Sequence, residues 1–248
     1  MNLQFNGQNA LILGGSCDLA LTLAATMKEA KLHPILTFRN EKGRKKIDTR
    51  LSSFPKEAYD TLHLDFGDRE TLKALLAQKG GDVEFVVDFA QDDFEDYVAL
   101  AAEERVYQYF QNNISFRAEL LKKISRIMMK RKRGRLVFVS SVAAARAKAG
   151  QGFYAAAKLA SEALYKNLGI ELGAKGITTV ILRPGYIQAG RGKKYLESHN
   201  EEALQLVPTR RFLTEEEVAQ AILFLLSESA AGFNATELTM DGGMTACK

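Results

Sequence analysis

Apolar runs of strand length alternate with segments of helical period from one end of the chain to the other. The strand-like runs are Ala10 to Leu13, Pro34 to Phe38, Phe85 to Val87, Leu136 to Val139, Thr178 to Leu182 and Glu237 to Met240, and the third strand in chain order precedes Asp65 and Phe66. Helical period marks Leu19 to Ala30, Lys42 to Leu51, Arg69 to Gln78, Glu103 to Lys130, Tyr154 to Leu172 and Thr214 to Leu226. The last opens with Thr214 followed by Glu217, the spacing of a capping box. Strands that read as continuous apolar runs are buried on both faces. Their alternation with helices predicts an α/β fold, a Rossmann-type doubly wound parallel sheet with helices on both faces.

No repeat, low-complexity tract or Pro/Gly/Ser linker divides the sequence, and 248 residues with 46% hydrophobic content suit one domain over 1–248. Tyr186 to Leu213 lacks clear periodicity and contains Gly190, Gly192 and Pro208. Because this long loop follows a strand end, it is expected to be a substrate lid at about 186–213. Met1 to Gly7 is polar and Ala10 to Leu13 is too short for a signal peptide, and no apolar stretch approaches membrane-spanning length. Two cysteines near opposite ends, Cys17 and Cys247, fit a reducing cytoplasm, and three scattered histidines give no expectation of a metal site. A net charge of +4 is too small to imply nucleic-acid binding, though an acidic partner or anionic ligand accounts for it.

In open parallel sheets ligands bind beyond the carboxyl ends of the strands, and the first strand-to-helix turn offers N–H groups to phosphate. That turn here is Gly14, Gly15, Ser16, Cys17, Asp18, Leu19, Ala20, which on its own also fits a tight structural turn. The second strand ends in Thr37, Phe38, Arg39, Asn40, with no carboxylate to accept from an NAD ribose. Arg39 suits a 2′-phosphate and so NADPH, unless it is simply a solvated arginine at a helix start. Asp65 and Phe66 are candidates for the adenine side, or an ordinary loop pair.

Tyr154 and Lys158 stand one helical turn apart on one face, and Ser141 ends the strand upstream in Val139, Ser140, Ser141. Reducing a ketone needs a proton at oxygen as hydride reaches carbon. A phenol serves when a neighbouring ammonium draws its pKa down from about 10.

With the glycine turn at Gly14, the Ser141, Tyr154, Lys158 series, Asn113, Pro184 with Gly185, and Asp241, Gly242, Gly243, the chain resembles the short-chain dehydrogenase/reductase family over its whole length. The resemblance implies that Tyr154 donates the proton and Ser141 holds the carbonyl oxygen. Lys158 would bind the nicotinamide ribose and lower the Tyr154 pKa, and Asn113 would position a relay water. Cofactor contacts are implied at Gly14, Ser16, Cys17, Asp18, Leu19, Arg39, Asp65, Phe66, Ala90, Pro184, Gly185 and Ile187.

Against the family's T-G-x-x-x-G-x-G turn, Leu13, Asp18 and Ala20 are departures, and Asp18 is expected to turn away and cap the helix. Asp88, Phe89, Ala90, Gln91 stand where the family has Asn-Asn-Ala-Gly, and the acidic run Asp92, Asp93, Glu95, Asp96 is expected to be a solvated loop.

Within the family, Met128 to Leu136, Pro184 to Ile187 and the Gly-Gly-Met ending are most similar to the 3-oxoacyl-(acyl-carrier-protein) reductases of fatty acid biosynthesis. This implies reduction of a carrier-bound 3-oxoacyl thioester and a homo-oligomer, a dimer or tetramer, built on the two long helices. Lys130 to Arg133, together with Arg191, Lys193, Lys194, Arg210 and Arg211, offer positive charge to an acidic carrier, and the first group equally suits a charged helix end. The alternatives are another small carbonyl substrate (a polyketide, sugar or xenobiotic) or a non-catalytic partner subunit.

Overall fold

In the computed structural model, which describes residues 3–246 without the side chains of residues 191, 194, 198 and 200, seven parallel strands form one sheet in the order β3-β2-β1-β4-β5-β6-β7. They are β1 (Asn9–Leu13), β2 (His33–Phe38), β3 (Asp60–His63), β4 (Phe85–Asp88), β5 (Gly134–Val139), β6 (Ile177–Pro184) and β7 (Thr236–Met240). Side chains alternate across each strand, so the sheet feeds two cores. Ala10 and Ile12 of β1, with Val137 and Val139 of β5, face one core. Leu11 and Leu13, with Leu136 and Phe138, face the other. Both sets are buried, which is why Ala10 to Leu13 and Leu136 to Val139 read as uninterrupted apolar runs.

The first core packs on α1 (Asp18–Glu29) and α8 (Glu215–Leu226), and the second on α3 (Arg69–Lys79), α5 (Phe116–Arg131) and α6 (Gly152–Leu172). Between α1 and α3 lies α2 (Glu41–Arg50), and α4 (Glu103–Phe110) precedes α5. The expected capping box is present: the Thr214 hydroxyl accepts from Glu217 N–H, and the Glu217 carboxylate accepts from Thr214 N–H. The sheet order reverses at β1, which pairs with β2 on one side and β4 on the other. That reversal opens a crevice above the β1 end.

Two expected elements differ. The single helix over Glu103 to Lys130 is interrupted by a π turn at Gln111–Ser115, which has no sequence signature. The region around 186–213 is not a structureless loop, because it holds α7 (Gly190–Gln205), kinked at His199. Its two glycines and broken apolar spacing hide a helix that is held from outside. Leu196 and Ala203 of α7 pack with Val207, Phe212, Val142 and Met244. The segment's ends meet in a bridge between Ile187 and Leu213, with Leu213 N–H donating to the Tyr186 carbonyl. Among the described residues, no helix is long and apolar enough to cross a membrane.

Candidate active site

Gly14 adopts φ +70, and a Cβ there would lie 2.9 Å from the Ala90 backbone nitrogen. A Cβ on Gly15 would lie 2.7 Å from Leu36 Cβ, so both glycines are required for the turn to press against the ends of β4 and β2. The turn delivers the chain to Cys17, which stands at the N-cap of α1 with extended backbone and offers no side-chain oxygen to the helix. First-turn N–H groups of a helix point out of its end, here those of Asp18 and Leu19. Burial pushes the Cys17 thiol up to about 11, so it is a neutral group beside this donor set. The Ser16 hydroxyl lies against Gly43 near the start of α2.

Asp18 is not the cap expected of it. It is the first residue of α1, and its carboxylate pairs with Lys46 of α2 at 2.6 Å. A Cβ on Gly190 would lie 3.5 Å from the same carboxylate, which places the start of α7 beside it. The lysine answers the repulsion that a carboxylate near a phosphate site would otherwise exert. A glycine turn flush with the sheet and an oxygen-free helix start with its acidic residue neutralised together fit a dinucleotide pyrophosphate.

Arg39, just beyond β2, is held by Asp92 at 2.6 Å, so Asp92 is not part of a merely solvated acidic run. Asp65 makes a local turn by accepting from Gly67 N–H, and Phe66 stacks on Phe116 with ring centroids 4.7 Å apart. Both are thus engaged within the protein, Phe66 with α5.

At the far side of the crevice Lys158 is buried and donates from Nζ to the Val139 carbonyl at 2.8 Å. The same ammonium lies 5.8 Å from the Tyr154 ring centroid and 4.9 Å from that of Phe138. Tyr154 and Lys158 are therefore not a surface pair. Ser141 follows β5 directly, and its hydroxyl accepts from Ala143 N–H at 3.1 Å, capping a short turn. Val142, in that turn, carries the packing of the α7 segment, which brings the expected lid next to Ser141. Pro184 ends β6, and Gly185 N–H donates to Met240 O while a Cβ at Gly185 would lie 2.9 Å from Asp241. Ile187 sits in the bridge to Leu213 that closes the ends of the α7 segment.

Asn113 occupies the π turn, 2% exposed. Its Oδ1 accepts from Gln91 Nε2 at 3.1 Å and Asp92 N–H at 3.0 Å, and its Nδ2 donates to the Tyr109 carbonyl at 2.9 Å. An inserted residue in a helix frees its backbone from the regular ladder, and such turns concentrate at functional sites. Here the freed geometry has an owner that sequence reasoning missed, Arg117. Fully buried, it pairs through Nε with Asp88 at 2.8 Å and donates to the carbonyls of Asn113 and Ala90 and, at 3.0 Å, to Ser161. Tyr165 donates to the same Asp88 carboxylate at 3.0 Å, and burial beside that carboxylate raises the Tyr165 pKa well above the usual phenol value. Asp88 stands where the family has asparagine, and Arg117, inside the single helix expected over Glu103 to Lys130, was an available hint of its partner.

A second missed network supports the β5 end. Glu162, buried, accepts from the Ser140 hydroxyl at 2.6 Å and from Arg183 Nε at 2.8 Å. The basic cluster Lys130 to Arg133 is not at this site. It precedes β5 and so lies at the opposite end of that strand from Ser141, with Arg131 near Asp82 at 3.6 Å and Arg133 on Glu84. Arg210 and Arg211 lie in the α7 segment, Arg211 paired with Glu217 at 2.7 Å. The side chains of Arg191 and Lys194, and all of Cys247, lie outside the described residues. Among those described, no group of three or more His, Cys, Asp or Glu residues is arranged to hold a metal.

Comparison with known proteins agrees with this geometry. Residues 17–245 match the family model described as Enoyl-(Acyl carrier protein) reductase. The chain is 28% identical to the 3-oxoacyl-(acyl-carrier-protein) reductase of Escherichia coli K12 over 245 residues, 98% of this chain and 99% of that one. A solved short chain dehydrogenase/reductase family protein superposes with a TM-score of 0.87 at 26% identity, covering 100% of both chains. A gluconate 5-dehydrogenase from Burkholderia cenocepacia, solved with NADP and tartrate, shares the fold with a TM-score of 0.88 at 23% identity over 99% of this chain and 98% of that one. With a parallel sheet reversed at β1, a glycine turn above that reversal, and a tyrosine and lysine one turn apart beside a serine at a strand end, the chain belongs to the short-chain dehydrogenase/reductase family of oxidoreductases.

Proposed function

We propose that this protein reduces a carrier-bound 3-oxoacyl thioester to its 3-hydroxyacyl form with NADPH. The observation that carries the proposal is the buried Lys158 ammonium, 5.8 Å from the Tyr154 ring centroid and fixed by the Val139 carbonyl at the end of the strand that leads to Ser141. NADPH, when bound, supplies the hydride. The chain's own residues do the rest. Tyr154 gives its phenolic proton to the carbonyl oxygen, and the Ser141 hydroxyl donates to that oxygen as negative charge grows there. Lys158 favours the phenolate that remains, since an adjacent cation stabilises the charged form of an acid. Lys158 then returns a proton to the Tyr154 phenolate and recovers one from solvent through a water at the Asn113 carbonyl, which keeps a second lone pair beside Arg117. The first turn of α1 and Arg39 are suited to hold the pyrophosphate and the 2′-phosphate, and Gly14, Ala90, Pro184, Gly185 and Ile187 line the crevice between them and Tyr154.

Resemblance to 3-oxoacyl-(acyl-carrier-protein) reductases over nearly the full length supports the substrate class. The exposed Arg210, in the lid, offers an acidic carrier a cationic contact. Exposed Tyr107, Leu159 and Ile170 on α4 and α6 support self-association, because large apolar side chains in water favour burial. The test is NADPH oxidation with an acetoacetyl thioester on carrier protein, set against free ketones and keto sugars. Faster turnover of the thioester is expected. A preference for a free carbonyl compound would move the protein to another substrate class, and no oxidation with any of them would refute the proposal.

A further inference from the structure

We infer that Asp92 sets the dinucleotide preference of this protein by competing with a cofactor 2′-phosphate for Arg39. The inference rests on the NADPH reading above and adds a residue to it. Arg39 follows β2 and Asp92 follows β4, and these strands flank β1 on its two sides. Neighbouring strands are roughly 4.8 Å apart, so the 2.6 Å contact between Arg39 Nη1 and Asp92 Oδ1 closes over the end of β1. That end carries the glycine turn, and it is the sheet's reversal point where a dinucleotide lies.

The pair is accessible, since the Arg39 and Asp92 side chains are 59% and 33% exposed. Arg39 is therefore within reach of a phosphate arriving from solvent. Asp92 is not free to leave, because its backbone N–H donates to Asn113 Oδ1 at 3.0 Å and its own Oδ2 stands 3.4 Å from Asn113 Nδ2. A 2′-phosphate that engages Arg39 must share it with a tethered carboxylate of like charge. A ribose that carries only a 2′-hydroxyl meets the same carboxylate as an acceptor. Asp92 consequently works against NADPH and in favour of NADH, and Arg39 works the other way.

Isothermal titration calorimetry with NADPH and NADH separately reads this without turnover. Asp92→Asn keeps the backbone donor to Asn113 and removes the charge, and the ratio of NADH Kd to NADPH Kd is expected to rise by about fivefold, the scale of one partly exposed ion pair. Asp92→Ser carries the same expectation should the amide fail to fold. In an Arg39→Gln background the Asp92→Asn change is expected to move the ratio less than it does with Arg39 present, because only the carboxylate's direct effect on the ribose remains. A ratio that stays within twofold of wild type, or falls, in the Asp92 variants overturns the inference while leaving NADPH use intact. Failure of the wild-type protein to bind either dinucleotide overturns both.

Discussion

Lys158 donates to the Val139 carbonyl at 2.8 Å, tying α6 to the last residue of β5 immediately before Ser140 and Ser141. An ammonium has three donors. With one committed to the strand end, the group cannot swing away from Tyr154, and its buried position makes its charge felt more strongly than in water. Lys158→Met is expected to lower kcat at least about 100-fold, the usual worth of a positioned proton-transfer partner. Lys158→Arg is not expected to restore it, because a planar guanidinium cannot occupy an ammonium's place. Steady-state NADPH oxidation checks both.

Asp88 and Arg117 form an ion pair in which neither side chain is exposed. Removing one partner of such a pair leaves a buried charge uncompensated, at a cost of about 3–5 kcal/mol. Arg117→Met is therefore expected to lower Tm by roughly 10 °C or more, on the scale of about 2–4 °C per kcal/mol for a domain of this size. Adding Asp88→Asn to that variant is expected to recover much of the loss, because the orphaned charge goes with it. Differential scanning calorimetry of the single and double variants decides the point, and equal destabilisation in both would show that the pair's charge is not what matters.

The Cys17 thiol, pushed up to about 11 by burial, is almost wholly protonated at pH 8, with roughly one thiolate in a thousand. Iodoacetamide at pH 7–8 is expected to leave Cys17 unmodified in the folded protein and to modify it rapidly once urea unfolds the chain. Peptide mass spectrometry of the two samples measures this, and rapid labelling of the folded protein would mean that the thiol is not held as described.

The strands were legible because burial on both faces leaves uninterrupted apolar runs, and the observed bounds of β2, β5 and β7 extend the expected ones by no more than two residues. The capping box, the glycine turn and the Tyr154 to Lys158 spacing were legible for a related reason: each is a local relation along the chain. What escaped notice was long-range. Nothing near Asp18 announces Lys46, and nothing near Asp88 announces Arg117 and Tyr165. The α7 helix escaped too, since its buried Leu196 and Ala203 answer to Val142, Phe212 and Met244 rather than to a full apolar stripe of its own. Asn113 was readable as a residue, but its π turn was not, because Asn113 there answers to the Gln91 side chain and the Asp92 backbone N–H from the loop after β4.

The proposed chemistry turns on the Tyr154 hydroxyl as the source of the proton. Tyr154→Phe removes one hydroxyl and leaves the ring over Lys158, so NADPH affinity and turnover can be read on the same folded variant. An NADPH Kd within about twofold of wild type is expected, with a fall in thioester-dependent NADPH oxidation of at least about 100-fold. Turnover by Tyr154→Phe at the wild-type rate would contradict that chemistry.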